Sequence, residues 1–249
     1  MWIRGRIIER IDWNDKLFSL RIAAALTPFI PGQFIKLSQV QDEKRVARAY
    51  SLVNSPDKPY AEVLAVAVEE GQLSPQLQHL TIGDEIDISS TATGFMTLDE
   101  IPKGEGQGKH LWFLATGTAV GPFLSMLDTA EPWQRFEKIV LVYGVREAKD
   151  LAYLDKLRSY EQQYPNQFIL CLCVTREAVD GALQCRIPEG LASGEIEHQV
   201  GLTLSMDDSQ VMICGNPGMI SGAQSVLLDK GLTKNLRRAP GQITVEKYW

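Results

Sequence analysis

Up to residue 101 the apolar positions of this chain fall in short runs rich in β-branched and aromatic residues, broken by clusters such as Trp13-Asn14-Asp15 and Gln41-Asp42-Glu43. Such runs predict strands at 3–13, 17–22, 33–38, 46–53, 61–68 and 85–88, spaced as in a small antiparallel barrel. One short helix is expected at 75–80, with Ser74 as its N-cap and Pro75 at its first position. Residues 102–109, Pro-Lys-Gly-Glu-Gly-Gln-Gly-Lys, carry no apolar side chain and read as a linker. Beyond it, apolar runs of strand length at 110–115, 138–143, 168–174 and 210–214 alternate with helical stretches at 122–127, 151–160 and 217–228. That alternation implies right-handed crossovers and a parallel sheet covered on both faces. Ligands of such sheets bind at the carboxyl ends of the strands, so the chemistry is expected where 116–122, 144–146, 175–176 and 214–219 converge.

Composition narrows the field. The length, 249 residues, suits two domains, and 45% hydrophobic with 22% charged residues is ordinary globular usage. A net charge of −6 argues against nucleic acid as the partner. The four cysteines, Cys171, Cys173, Cys185 and Cys214, lack iron–sulfur spacing, so no metal is expected and the thiols read as reduced. Charged residues interrupt the N-terminal segment, and no 18-residue apolar run exists. The expectation is a cytoplasmic protein without a membrane span.

Two motifs stand in the first part. In Arg48-Ala49-Tyr50-Ser51, strand alternation puts Arg48 and Tyr50 on one face. The guanidinium suits a pyrophosphate, the phenol ring suits stacking on an aromatic plane, and Ser51 offers a hydroxyl to a ring nitrogen. An ordinary edge strand is the plain alternative. In Gly71-Gln72-Leu73-Ser74-Pro75 a glycine turn enters a helix start, which is either an anion site or simply a well-capped helix.

Four more follow in the second part. Thr116-Gly117-Thr118-Ala119-Val120-Gly121-Pro122 lies between a strand and a helix, the setting of a phosphate-cradling loop, although Ala119 occupies the place of a second glycine. Cys214-Gly215-Asn216-Pro217, with Met219, forces a sharp turn that leaves Cys214 at a strand tip or as a buried structural thiol. Arg146, Arg176 and Arg186 favour a ribose 2′-phosphate where an NAD-specific domain places an acid, or they are solvated surface charge. Arg186 is expected to begin a return strand. The chain closes on Val245-Glu246-Lys247-Tyr248-Trp249, with two aromatics where termini are usually polar.

Arg-x-Tyr-Ser followed by Gly-x-x-Ser resembles the FAD-binding pattern of the ferredoxin–NADP reductase family, and all six motifs stand in that family's order. The resemblance, strongest to the bacterial ferredoxin (flavodoxin)–NADP reductases, runs over nearly the whole chain. It implies two domains, an antiparallel β-barrel FAD-binding domain over 1–101 and an α/β parallel-sheet NADP-binding domain over 102–249. It places Arg48, Ala49, Tyr50, Ser51, Gly71, Leu73, Ser74 and the loop at Thr91 around FAD, with Tyr50 on the isoalloxazine and Ser51 near its N5. Tyr248 and Trp249 cover the flavin or its adenine. Thr116, Gly117, Thr118, Gly121, Arg146, Arg176, Arg186, Cys214, Gly215 and Met219 take NADP(H), with Cys214 beside the nicotinamide.

The implied activity is hydride transfer from NADPH to FAD, with Ser51, Cys214 and Glu246 shaping the contact, then single-electron transfer to ferredoxin or flavodoxin. A monomer is expected. A flavin reductase, or an electron-transfer subunit of a larger complex, remains the alternative on the same fold.

Overall fold

The computed structural model describes every residue except Glu105, Tyr248 and Trp249. The chain forms two compact units: Met1–Thr97 with Gly121–Thr129, and Leu98–Val120 with Ala130–Trp249.

The first unit is built on β1 (Trp2–Asp12), β2 (Leu17–Ala23), β3 (Phe34–Gln41), β4 (Lys44–Ser51), β5 (Ala61–Val66), the short helix α1 (Ser74–Gln78) and β6 (Glu85–Ser89). The strands pair antiparallel in the order β4-β3-β6-β1-β2-β5. A bridge from Leu52 to Val63 then links the two outer strands, so the sheet curls into the expected barrel. Ile7, Phe18, Leu20, Ile22, Ile35, Leu37, Leu52 and Val63 fill its interior. A register shift between Ile7 and Glu9 adds the local bend that closure requires.

Two expectations are corrected here. The β3–β4 hairpin is longer than the apolar run suggested, because Asp42 and Glu43 both take positive φ (47° and 61°) and form a tight two-residue turn. The α1 helix starts one residue early, at Ser74, with Leu73 as its N-cap. The Ser74 hydroxyl instead accepts the backbone N–H of Val68 at 3.0 Å, tying the helix start back to the end of β5.

After β7 (His110–Thr116) of the second unit, α2 (Gly121–Leu127) belongs to the first, and the second unit continues with α3 (Glu131–Arg135), β8 (Lys138–Val145), α4 (Leu154–Gln163), β9 (Phe168–Val174), β10 (Ala182–Leu183), α5 (Ile187–Ser193), α6 (Glu195–Val200), β11 (Ser209–Gly215), α7 (Pro217–Asp229) and β12 (Ile243–Lys247). Its six strands are all parallel, in the order β10-β9-β8-β7-β11-β12. Residues Leu111–Ala115 are fully buried, as both faces of a parallel sheet must be. The chain winds outward from β7 to β10, then returns to place β11 on the other side of β7. That reversal is the topological switch point, and sheets of this kind bind ligands there, at the carboxyl ends of the strands, here those of β7 and β11.

Arg186 does not begin a strand. It is the N-cap of α5, with Pro188 in the first turn setting the helical φ. The tail over 243–247 joins the sheet as β12 beside β11.

Candidate functional site

In the barrel unit, Arg48 and Tyr50 lie on one side of β4, opposite Leu37 and Ile35 of β3. Their surroundings differ. Tyr50 is 9% exposed and packs into the barrel interior. Burial pushes its phenol up to about 12, against the pull of Arg48. Arg48 and Ala49 are exposed. The Arg48 guanidinium donates to Gln72 Oε1 at 2.7 Å and to Ala47 O at 2.8 Å. The two barrel motifs therefore meet, through a residue, Gln72, that the sequence reading left without a role. Gln72 O also accepts from Gln41 Nε2 at 2.8 Å, which fixes the turn against the β3–β4 hairpin.

Gly71 is tightly placed, since a Cβ there would stand 2.8 Å from Ser74 Oγ and 2.9 Å from Val68 O. Leu73 anchors the turn in the core. Ser51 is buried at the end of β4, and α2 packs over it: a Cβ on Gly121 would lie 3.4 Å from Val53 Cγ2 and 3.8 Å from Ser51 Cβ. Ser125 Oγ of the same helix donates to Asn54 O at 2.7 Å. Thr91 is exposed on the loop after β6, two residues before Thr93 bridges to Phe34. An exposed arginine with unshared N–H groups, beside a turn braced by glycine, suits the pyrophosphate of FAD.

In the second unit the two strand tips at the switch point are tied together. Thr116 Oγ1, ending β7, accepts from the Asn216 backbone N–H at 3.2 Å and from its Nδ2 at 3.4 Å. Asn216 caps α7, its Oδ1 accepting the Met219 N–H at 2.8 Å. Gly215 lets the chains approach this closely, because a Cβ would be 2.2 Å from Thr116 Oγ1 and 2.7 Å from Met219 Cε. Gly117 has φ +55° and nothing within 4 Å of the place a Cβ would take, so no side chain covers its backbone on that side. Thr118 and Gly121 are buried. A bare loop beside the capped start of a 13-residue helix suits the phosphates of a nucleotide. The signal for Asn216 in the sequence is its place directly before Pro217, an N-cap residue ahead of a proline at the first helical position.

Cys214 is the penultimate residue of β11 and has no exposed surface. Burial pushes its thiol up, and the carboxylate of Glu246, directly across on β12, adds to the shift. The group is thus a neutral thiol packed behind the strand tip. Arg146 and Arg176, exposed at the tips of β8 and β9, are joined by an Arg176 N–H to Arg146 O bond at 2.9 Å. Arg176 Nη1 stands 3.7 Å from Glu147 Oε1, an acid the sequence reading passed over. Arg186 is exposed at the start of α5, where it pairs with Glu189 at 3.5 Å. Tyr248 and Trp249 lie outside the described residues.

Residues 6–96 match the family model described as an oxidoreductase FAD-binding domain, and 113–225 match that of an oxidoreductase NAD-binding domain. The flavodoxin/ferredoxin–NADP reductase of Escherichia coli (strain K12) is 45% identical over 249 residues, covering 100% of this chain and 99% of its own. The ferredoxin–NADP reductase of Azotobacter vinelandii is 33% identical, covering 97% of this chain and 95% of its own. Among solved structures, a ferredoxin NADP+ reductase from Neisseria gonorrhoeae with bound FAD and NADP superposes with a TM-score of 0.93 at 31% identity, covering 100% and 99% of the two chains.

Proposed function

The chain belongs to the flavodoxin/ferredoxin–NADP reductase family, and from that premise we propose how its own residues divide the work. The protein is an FAD-dependent oxidoreductase that draws on NADPH and passes electrons to ferredoxin or flavodoxin. FAD, when bound, supplies what side chains lack, accepting a hydride and releasing electrons one at a time.

The FAD-binding domain spans 1–101 and the NADP-binding domain 102–249. Arg48, oriented by Gln72, holds the FAD pyrophosphate with the backbone of the turn at Gly71, Leu73 and Ser74. Tyr50 stacks on the isoalloxazine, with Ala49 and Thr91 beside it. Ser51 places a hydroxyl at the reacting ring nitrogen. Tyr248 and Trp249, which lie outside the described residues, are assigned to the cofactor by the family resemblance alone.

Thr116, Gly117, Thr118 and Gly121 form the phosphate loop of the NADP(H) site, and Gly215 and Met219 hold the start of α7 beside it. Arg146, Arg176 and Arg186 receive the 2′-phosphate. Cys214 and Glu246 back the nicotinamide and exclude water from it, the thiol keeping its proton throughout. The protein works as a cytoplasmic monomer. No helix among the described residues is long and apolar enough to cross a membrane.

One observation carries the nucleotide half of this reading. The Thr116–Asn216 bonds bring the phosphate loop and the Cys214–Met219 turn to one place at the switch point. The test is a visible spectrum of the purified protein, with FAD identified after denaturation, followed by addition of NADPH and NADH. Yellow protein bleached faster by NADPH, and able to reduce ferredoxin or flavodoxin, supports the reading. Flavin-free protein that cannot be reconstituted, or protein needing a second chain before NADPH is oxidised, sinks it.

A further inference from the structure

The tips of β8 and β9 carry more than the arginines assigned to a 2′-phosphate. β8 is the second strand counted outward from the switch point. In nucleotide-binding sheets of this kind an acid near that position accepts the ribose 2′-hydroxyl of NAD, whereas an arginine accommodates the 2′-phosphate of NADP. Here both chemistries stand side by side, because β8 ends at Val145 and is followed by Arg146 and Glu147.

The Glu147 carboxylate is engaged on both oxygens. Oε2 pairs with Lys149 Nζ at 2.8 Å and Oε1 with Arg176 Nη1 at 3.7 Å. The surrounding backbone is pinned, with Arg176 N–H donating to Arg146 O at 2.9 Å and Ala148 N–H donating to Glu177 Oε1 at 2.6 Å. Lys149, and then Arg176, hold the Glu147 carboxyl below the usual carboxylate range, so it is ionised at neutral pH.

We propose that Glu147 sets how strongly this protein prefers a nucleotide 2′-phosphate over a bare ribose 2′-hydroxyl. A phosphate approaching Arg146 and Arg176 has to draw Arg176 away from Glu147, and it meets a like charge as it does so. A 2′-hydroxyl meets neither obstacle, and the carboxylate accepts its hydrogen bond. Glu147 therefore weakens NADPH binding, eases NADH binding, and keeps the arginine fork ordered while no phosphate is present. The inference rests on the proposed NADP(H) site and adds to it a residue that works against the arginines.

The test is calorimetric titration of the FAD-loaded Glu147→Gln variant and of the wild type with adenosine 2′,5′-bisphosphate and adenosine 5′-monophosphate, at low and high salt. Gln keeps the shape and the acceptor oxygen but removes the charge. Freeing one exposed ion pair and one like-charge contact corresponds to roughly three- to tenfold tighter bisphosphate binding at low salt. That gain should shrink at high salt, while the monophosphate binds no better than before. Bisphosphate binding that is unchanged or weaker in the variant overturns the role of Glu147. A wild type that binds the bisphosphate no better than the monophosphate overturns the arginine site itself, so the two failures are distinguishable.

Discussion

The closest approach at the nucleotide site gives a sharp way to break it. Replacing Gly215 by alanine sets a Cβ 2.2 Å from Thr116 Oγ1, 2.7 Å from Met219 Cε and 3.3 Å from Thr116 N. Met219 Cε is the end of a flexible side chain and can withdraw. Thr116 Oγ1 cannot do so freely: it belongs to a β-branched residue with few χ1 choices, and it accepts both the backbone N–H and Nδ2 of Asn216. Relief requires either that the hydroxyl rotate away, losing those two bonds, or that the tips of β7 and β11 separate. Two neutral hydrogen bonds are worth about 1–3 kcal/mol together, and overpacking a close contact costs about 1–3 kcal/mol, so about 2–4 kcal/mol is expected once partial relaxation is allowed.

The loss should be local in its functional effect. Gly215→Ala should lower the urea midpoint of the NADP-binding domain and raise KM for NADPH, because the phosphate loop and the start of α7 shift together. FAD retention should hold, since Arg48 and its turn lie in the barrel unit. The double variant with Thr116→Ala removes the clashing oxygen and should be less damaged than the sum of the two single changes, the signature of residues in contact. The reasoning fails if Gly215→Ala changes stability by less than about 0.5 kcal/mol, the range of an ordinary surface substitution, with KM unmoved.

Arg48→Ala should weaken FAD retention about tenfold or more, as expected for about 1.5–3 kcal/mol lost with one charged hydrogen-bond donor; equilibrium dialysis measures it, and unchanged affinity refutes the assignment. Arg176→Ala and Arg186→Ala should raise KM for NADPH roughly tenfold to 150-fold on the same scale and leave NADH nearly unaffected; equal losses for both nucleotides show that neither arginine reads the 2′-phosphate. The Tyr50 phenol is raised from 10.0 to about 12 in the fold, so the native state keeps its proton where the unfolded chain loses it. Its contribution is whole below pH 10 and is lost as pH rises toward 12, amounting to about 3 kcal/mol at about 1.4 kcal/mol per unit. Urea midpoints against pH should therefore fall more steeply for wild type than for Tyr50→Phe in that window, and parallel curves refute the shift.

Most strands of both units were legible because burial on one or both faces leaves a period in the sequence. β9, over Phe168–Val174, was read to the residue, its apolar run being bounded by polar residues at both ends. The short helices α5 and α6 were missed because Pro188, Gly190 and Gly194 break the helical period over stretches of only seven and six residues. β12 was missed because Thr244-Val245-Glu246 looks like any polar terminus until β11 is present to pair with it. Pairing depends on a neighbour far along the chain, and local pattern is blind to it.

The same distinction separates the candidate site residues that a sequence displays from those that it does not. Arg48, Thr116, Gly117 and Gly215 sit in motifs whose backbone demands are written in consecutive residues. Gln72 and Glu147 act through partners 24 and 29 positions away, Arg48 and Arg176 respectively, and nothing in their own surroundings announces it. What the sequence displays is therefore the part of a site that the backbone must build locally. What it conceals are the side chains that adjust charge across strand tips. Glu147 is part-buried and also caps the short helical turn Ala148–Asp150, so an exchange there keeps the local fold only where the acceptor oxygen is kept, as glutamine keeps it. On the proposal above, removing the Glu147 charge retunes nucleotide preference while the Thr116–Gly215 junction stays fixed, because the close approach there sets the packing of the two strand tips.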